Sequence, residues 1–199
     1  QATVGYELLF RPGPQIRADI DSPTRATADV VCSAFAELGL SAALTSQQAF
    51  INVGEDFLLD DAVELLPPQQ VVLEIESVHD FSAPFLRRCR ELGGKGYSFC
   101  LHWAGEAGEG LAPLLDMLSY VKIDANPAMA ATYKALSTAL RGSRVRMIAG
   151  RVETAENWQH CAKLGFDLFQ GYHFARPVVI EGRKLDPDWE AVLTAYDGI

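Results

Sequence analysis

The sequence is short of basic residues, of cysteine and of any long apolar run, and each shortage excludes something. Lys and Arg number 17 against 26 Asp and Glu, a formal net charge of −9. Non-specific nucleic-acid binding draws on displaced counterions and needs the opposite sign, so nucleic acid is not an expected partner. A small phosphate ligand stays open, because one local Arg or Lys can hold it. The four cysteines, Cys32, Cys89, Cys100 and Cys161, form no CxxC pair and have no metal-ligand spacing. Buried free thiols in a reducing, cytoplasmic setting are the expectation. No apolar run is long enough to cross a bilayer and no leader pattern opens the chain, so no membrane partner is expected. The chain starts at Gln1 rather than Met, which predicts a segment trimmed from a longer protein. GxGxxG, GxxxxGK[ST] and GxSxG are all missing, which removes the best support for a nucleotide fold or a serine nucleophile.

What is there is a soluble globular composition, 49% hydrophobic and 22% charged, of a length that suits one domain. Short apolar runs predict strands at Val4–Phe10, Ala49–Val53, Val71–Ile75, Tyr97–Leu101, Tyr120–Ile123, Val145–Ala149 and Leu168–Gln170. Their unbroken hydrophobicity is that of strands covered on both faces. Helical spacing fills the gaps over Thr24–Leu38, Pro84–Leu92, Pro127–Leu140 and, capped by Thr154, through Leu164. Trp158 and Trp189 also fall in helical patterns. Repeated βα units allow a (β/α) barrel or an open doubly wound sheet, and the missing glycine loop weakens the second. Seven strands fall one short of a full barrel.

Polar residues recur at the C-terminal ends of these strands, where a barrel places its site. They are Glu7 and Arg11, then Asn52, Glu74, His102, Lys122 with Asp124, Glu153 and Gln170. Oxygen ligands plus a lysine suit divalent metal and phosphate chemistry. The same residues can equally cap strand ends and pair with one another, and spacing alone leaves both readings open.

The motifs resemble those of EAL domains, the phosphodiesterases of cyclic di-GMP. Gly5-Tyr6-Glu7-Leu8-Leu9-Phe10-Arg11 resembles E-A-L-x-R, and Phe50-Ile51-Asn52-Val53 the asparagine strand. Val72-Leu73-Glu74-Ile75 resembles E-[LI]-T-E, and Val121-Lys122-Ile123-Asp124 matches VKID. Ile148 to Thr154 resembles I-A-E-G-V-E-T, and Phe169-Gln170-Gly171-Tyr172, with Pro177, matches QGY…P. The wording GYELLFR, Ala26-Thr27-Ala28, LGFDLFQGYHFARP and the Gly182–Asp186 tail are similar to the branch followed by an HDOD domain. The resemblance implies a TIM-like (β/α)8 barrel of EAL type over residues 1–199, lacking its first, antiparallel strand and the HDOD domain downstream.

The resemblance also implies a two-metal site, and here the chain departs from it. Glu7, Asn52 and Glu74 match metal ligands, and Glu7, Lys122 and Glu153 match catalytic positions. His102 and Trp103 stand where the DDFG aspartates belong, and Gly150 replaces the glutamate of I-A-E-G-V-E-T. Indole offers no metal lone pair, and imidazole suits zinc or copper better than Mg²⁺. The implied function is a catalytically inactive EAL domain acting as a regulatory or protein-interaction module. No cofactor is expected, with Mg²⁺ or Mn²⁺ only if the metal site is partly retained. Implied partners are its own HDOD domain, other signalling proteins or a second copy of the domain. The alternative is a non-catalytic cyclic di-GMP receptor using Leu9, Arg11, Gln170 and Tyr172, with Phe10 and Trp103 as further stacking faces. A weakly active phosphodiesterase is the third reading. Against binding, Glu7, Glu74 and Glu153 would repel a dianion, with only Arg11 and Lys122 to compensate.

Overall fold

Residues 2–12, 47–76, 81–103, 111–176, 178–180 and 189–198 are described by the computed structural model. The elements run β1 (Ala2–Pro12), β2 (Gln48–Asn52), α1 (Glu55–Leu59), a 3-10 turn (Asp61–Leu65), β3 (Val71–Glu76), α2 (Ala83–Gly94) and β4 (Ser98–His102). There follow β5 (Leu118–Asp124), a 3-10 turn (Pro127–Met129), α3 (Ala130–Ala139), β6 (Arg146–Gly150), α4 (Ala155–Lys163), β7 (Leu168–Phe169), β8 (Val178–Ile180) and β9 (Trp189–Gly198). Each predicted strand forms within two residues of its predicted bounds. The predicted helix at Thr24–Leu38 lies outside the described residues, as do Ala26–Ala28, Cys32, the 104–110 segment and the 181–188 tail.

β1 to β7 pair in sequence order, each parallel to the next. β9 then runs antiparallel to both β7 and β1 and closes the ring. The eighth place, which the resemblance gives to a strand ahead of Gly5, is therefore taken by Trp189–Gly198. This corrects the helix predicted around Trp189. Trp189, Val192, Leu193 and Tyr196 do have helical spacing, but β1 and β7 would otherwise offer open edges. The ladder from Ala2–Gly198 to Pro12–Trp189 satisfies a long row of backbone groups at once and outweighs local periodicity.

Two hydrophobic layers follow from strand alternation. Outside the ring, Leu8, Ile51, Leu73, Leu101, Val121, Ile123 and Phe169 pack against the helices. Inside it, Phe50, Val72, Cys100, Tyr120, Ile148 and Leu168 form a separate plug, with Phe50 and Tyr120 edge-to-face at 5.1 Å. The helices start where the sequence says. Ser82 caps α2 by accepting from the Phe85 amide, and Thr154 caps α4 by accepting from the Asn157 amide. Buried Arg88 on α2 ties down the preceding turn, donating to the Leu58 carbonyl at 3.0 Å and to Glu64 and Glu91.

The plug is the floor on which the site rests. Phe50→Ala, at a fully buried position in it, is expected to cost about 3–5 kcal/mol. Urea unfolding followed by circular dichroism measures it.

Candidate functional site

Two residues beyond each plug residue, the barrel interior turns polar. Phe50 gives way to Asn52, Val72 to Glu74, Cys100 to His102, Tyr120 to Lys122 and Leu168 to Gln170, while Ile148 is followed by Gly150, which adds no polar side chain. A period of two keeps both residues of each pair on the same face of their strand, so the mouth is a polar ring set on an apolar floor. Glu7 joins it from β1.

The ring closes around one ammonium group. Lys122 Nζ donates to Glu7 Oε2 at 3.1 Å and to Glu74 Oε1 at 2.9 Å, and all three side chains are buried. Glu7 also accepts from Asn52 Nδ2 at 2.8 Å and from Gln170 Nε2 at 2.6 Å. Burial pushes the Glu7 carboxyl up, but the Lys122 charge and the Gln170 and Asn52 donors outweigh it and hold the group below its ordinary value. Glu74 is buried and close to Glu7, and its carboxyl is raised despite Lys122. Burial disfavours the Lys122 ammonium, yet Glu74 and Glu7 together raise its pKa and keep it charged.

A second group forms at the rim around Asp124, which ends β5. His102 Nε2 lies 3.6 Å from Asp124 Oδ1, with its Nδ1 3.9 Å from Glu74 Oε1. Arg151 Nε lies 3.1 Å from Asp124 Oδ2. His102 leads the effects that lower the Asp124 pKa, and Asp124 leads those that raise His102. Gly150 provides the space: a Cβ there would stand 2.9 Å from Asp124 Oδ1. Arg151 stands where I-A-E-G-V-E-T has its glycine, and it keeps a glycine-like backbone with φ of +52°. A side chain in that region costs about 1 kcal/mol.

Of the residues singled out from sequence, the mouth brings together Glu7, Asn52, Glu74, Lys122 and Gln170. Glu153 is exposed in the loop after β6 and makes no hydrogen bond among the described residues. Tyr172 is also exposed, at 65%. Leu9 and Arg11 belong to β1, but their side chains, like that of Phe10, lie outside the described residues. Trp103 as a stacking face is a correction. It follows His102, so alternation turns it outward, and it is 6% exposed in the layer between sheet and helices. The charge estimate also needs correction. Lys122 is committed to Glu7 and Glu74, while Arg151 is a cation at the rim that the strand-end reading did not count. Arg151 was the missed residue, and the signal was visible as an arginine in a motif's glycine position.

Mg²⁺ does not fit the set formed by Glu7, Asn52 and Glu74 as they are paired here. Mg²⁺ requires near-octahedral oxygen ligation, but Glu7 is already hydrogen-bonded on both oxygens and the Lys122 ammonium lies between it and Glu74. Among the described residues, no group of three His, Cys, Asp or Glu is placed to hold a metal.

The ring of parallel strands with its site at their C-terminal ends defines an α/β barrel of TIM type. Comparison with known proteins narrows the class. The EAL domain profile matches residues 35–177, and the chain belongs to the EAL domain family. It is 31% identical over 191 residues to the cyclic di-GMP phosphodiesterase CdgJ of Vibrio cholerae, covering 94% of this chain and 44% of that protein. It is 28% identical over 189 residues to the uncharacterized protein YuxH of Bacillus subtilis, covering 93% of this chain and 46% of that one. The chain thus spans less than half the length of these relatives. Its fold matches Klebsiella pneumoniae BlrP1, solved with calcium and cyclic di-GMP, with a TM-score of 0.70 at 22% identity over 92% of this chain and 48% of that one. Among the described residues, no helix is long and apolar enough to cross a membrane.

Lys122→Met leaves two buried carboxylates without their cation and is expected to cost about 3–5 kcal/mol. Urea unfolding at neutral pH measures it, and the loss shrinks in acid as Glu74, whose pKa is raised, takes up a proton.

The rim pair has its own pH window. His102 is raised, so its contribution is full below the unfolded value of 6.5 and is lost as pH rises through the folded one. Asp124 is lowered from 3.8, so its contribution is present above that value and is lost as pH falls through the folded one. The melting-temperature advantage of the native chain over His102→Asn is therefore larger near about pH 6 than near about pH 8.5.

Proposed function

We propose that this is a non-catalytic EAL domain, acting as a regulatory and protein-interaction module of a bacterial, cytoplasmic signalling protein. The observation that carries this reading is that His102 and an outward-facing Trp103 occupy the DDFG positions, while Lys122, which the motif keeps, pairs with the carboxylates that the motifs assign to metal. Glu7 and Glu74 share the Lys122 ammonium, at 3.1 and 2.9 Å. The DDFG positions hold an imidazole and an outward-facing indole, which give Mg²⁺ none of the hard anionic oxygens it prefers. A two-metal hydrolysis without its shared carboxylates loses both the activated water and the neutralised leaving oxygen. The chain spans less than half the length of its curated relatives, and the resemblance of its motifs to the branch followed by an HDOD domain supports such a domain as the partner.

The test is a hydrolysis assay on cyclic di-GMP with Mn²⁺, run beside an intact EAL phosphodiesterase. Expected turnover is lower by at least about three orders of magnitude, given the size of the lost transition-state contacts. Turnover within about tenfold of the intact enzyme overturns the reading.

A further inference from the structure

We propose that Trp189–Gly198 is a removable closing strand, which leaves the ring as an amphipathic helix and opens the barrel between β1 and β7. The device works whether or not the mouth hydrolyses anything. Pattern and structure conflict in this segment. Trp189, Val192, Leu193 and Tyr196 recur at i, i+3, i+4 and i+7, which is one face of a helix. Ahead of them Asp186 and Pro187 have the order of a helix N-cap and first helical residue, and Gly198 supplies a stop. Asp188 and Glu190 suit the positive end of the helix dipole. Glu190, Ala191 and Ala195 are good helix formers and poor strand formers. Yet 189–198 is β9.

The pairing of β9 supplies an independent observation, because the strand is held unevenly. β1 to β7 run parallel, and β9 runs against them. Its ladder to β7 holds only Leu168–Gly198 and Phe169–Asp197. Its ladder to β1 is long but flawed at both ends. The register shifts between Thr3 and Gly5, and Pro12, opposite Trp189, has no N–H to donate. β8 pairs with β9 and with no other described strand, so Val178–Ile180 does not tie β9 to the rest of the ring. A segment whose local preference opposes its place in the fold is where two packings lie close in energy.

The strand is the ground state because it satisfies the edges of β1 and β7 together. A helix satisfies most backbone groups of the segment without the ring, which lowers the cost of leaving it. Alone, a helix of about three turns is marginal, so the open form is the minor state. β1 also carries Glu7, which is bonded to Lys122, Asn52 and Gln170. Removing β9 frees one side of β1, so closure of the ring and the buried network at the mouth support each other. Residues 189–198 are thus a two-state element that links the mouth to the last residues of this chain.

Hydrogen exchange of the full chain, followed by mass spectrometry, tests this. β9 and the β1 amides that face it are expected to exchange together, at least about tenfold faster than β5 and β6. Asp186→Ala removes the cap of the helix but lies ahead of the strand, so it is expected to slow that shared exchange about threefold. Asp186→Asn, which caps equally well, is expected to leave it unchanged. The β5 rate in the same molecule is the reference for any variant that is less stable overall. Exchange of β9 and β1 no faster than that of β5 and β6 overturns the proposal. So does a shared rate that Asp186→Ala leaves unchanged or raises, since that is fraying without a helix. Exchange of β9 while the facing amides of β1 stay protected overturns it as well. None of these outcomes changes the turnover expected in the hydrolysis assay.

Discussion

The mouth of this barrel depends on one buried ammonium. Two buried carboxylates cannot remain charged near each other without a cation, because desolvation and repulsion both oppose it. Lys122 supplies that cation from the fifth strand, while Glu7 and Glu74 come from the first and third. The contact therefore spans the interior of the ring and ties three strands that are not neighbours. Asn52 and Gln170 extend the same network to the second and seventh strands through Glu7. A polar layer of this kind is stable only when each member has partners, which is why it sits directly on an apolar floor that excludes water from below.

Alternation along the strands decides which residues can take part. The motif residues that face inward, at 7, 52, 74, 102, 122 and 170, meet at the mouth whatever their type. Trp103 is excluded by parity alone, since it follows an inward residue and must face the helices. The two replacements at the DDFG positions are thus unequal. His102 enters the site and binds to what is there, whereas Trp103 becomes a hydrophobic core residue between sheet and helix. An indole is suited to that place, where its large apolar surface is removed from water.

Most of this was legible in the chain, because strand position and period are local. Unbroken apolar runs located the seven parallel strands, and motif order placed Glu7, Asn52, Glu74, Lys122 and Gln170 at their ends. Two things were not legible. Trp189–Gly198 has the spacing of a helix, and only the open edges of the first and seventh strands make it a strand. That is a non-local demand, invisible to periodicity. The rim cluster was hidden for a similar reason. Gly150 and Arg151 are adjacent in sequence, but their relation to Asp124 exists only because the fifth and sixth strands pair Asp124 with Gly150.

That pairing makes the rim replacements interdependent. With Asp124 in its present place, a side chain at 150 would press on Oδ1, the oxygen that faces His102. Displacing Asp124 would strip His102 of the group that most raises its pKa and Arg151 of its described counter-ion. Arg151 would then hold a costly backbone conformation with nothing to anchor it. Residues that share one partner in this way have effects that do not add, since each alters what the others can do. A site reduced simply by loss would leave its carboxylates to repel one another or to take up protons. Here Glu7 and Glu74 share the Lys122 ammonium, and Asp124 has Arg151 beside it.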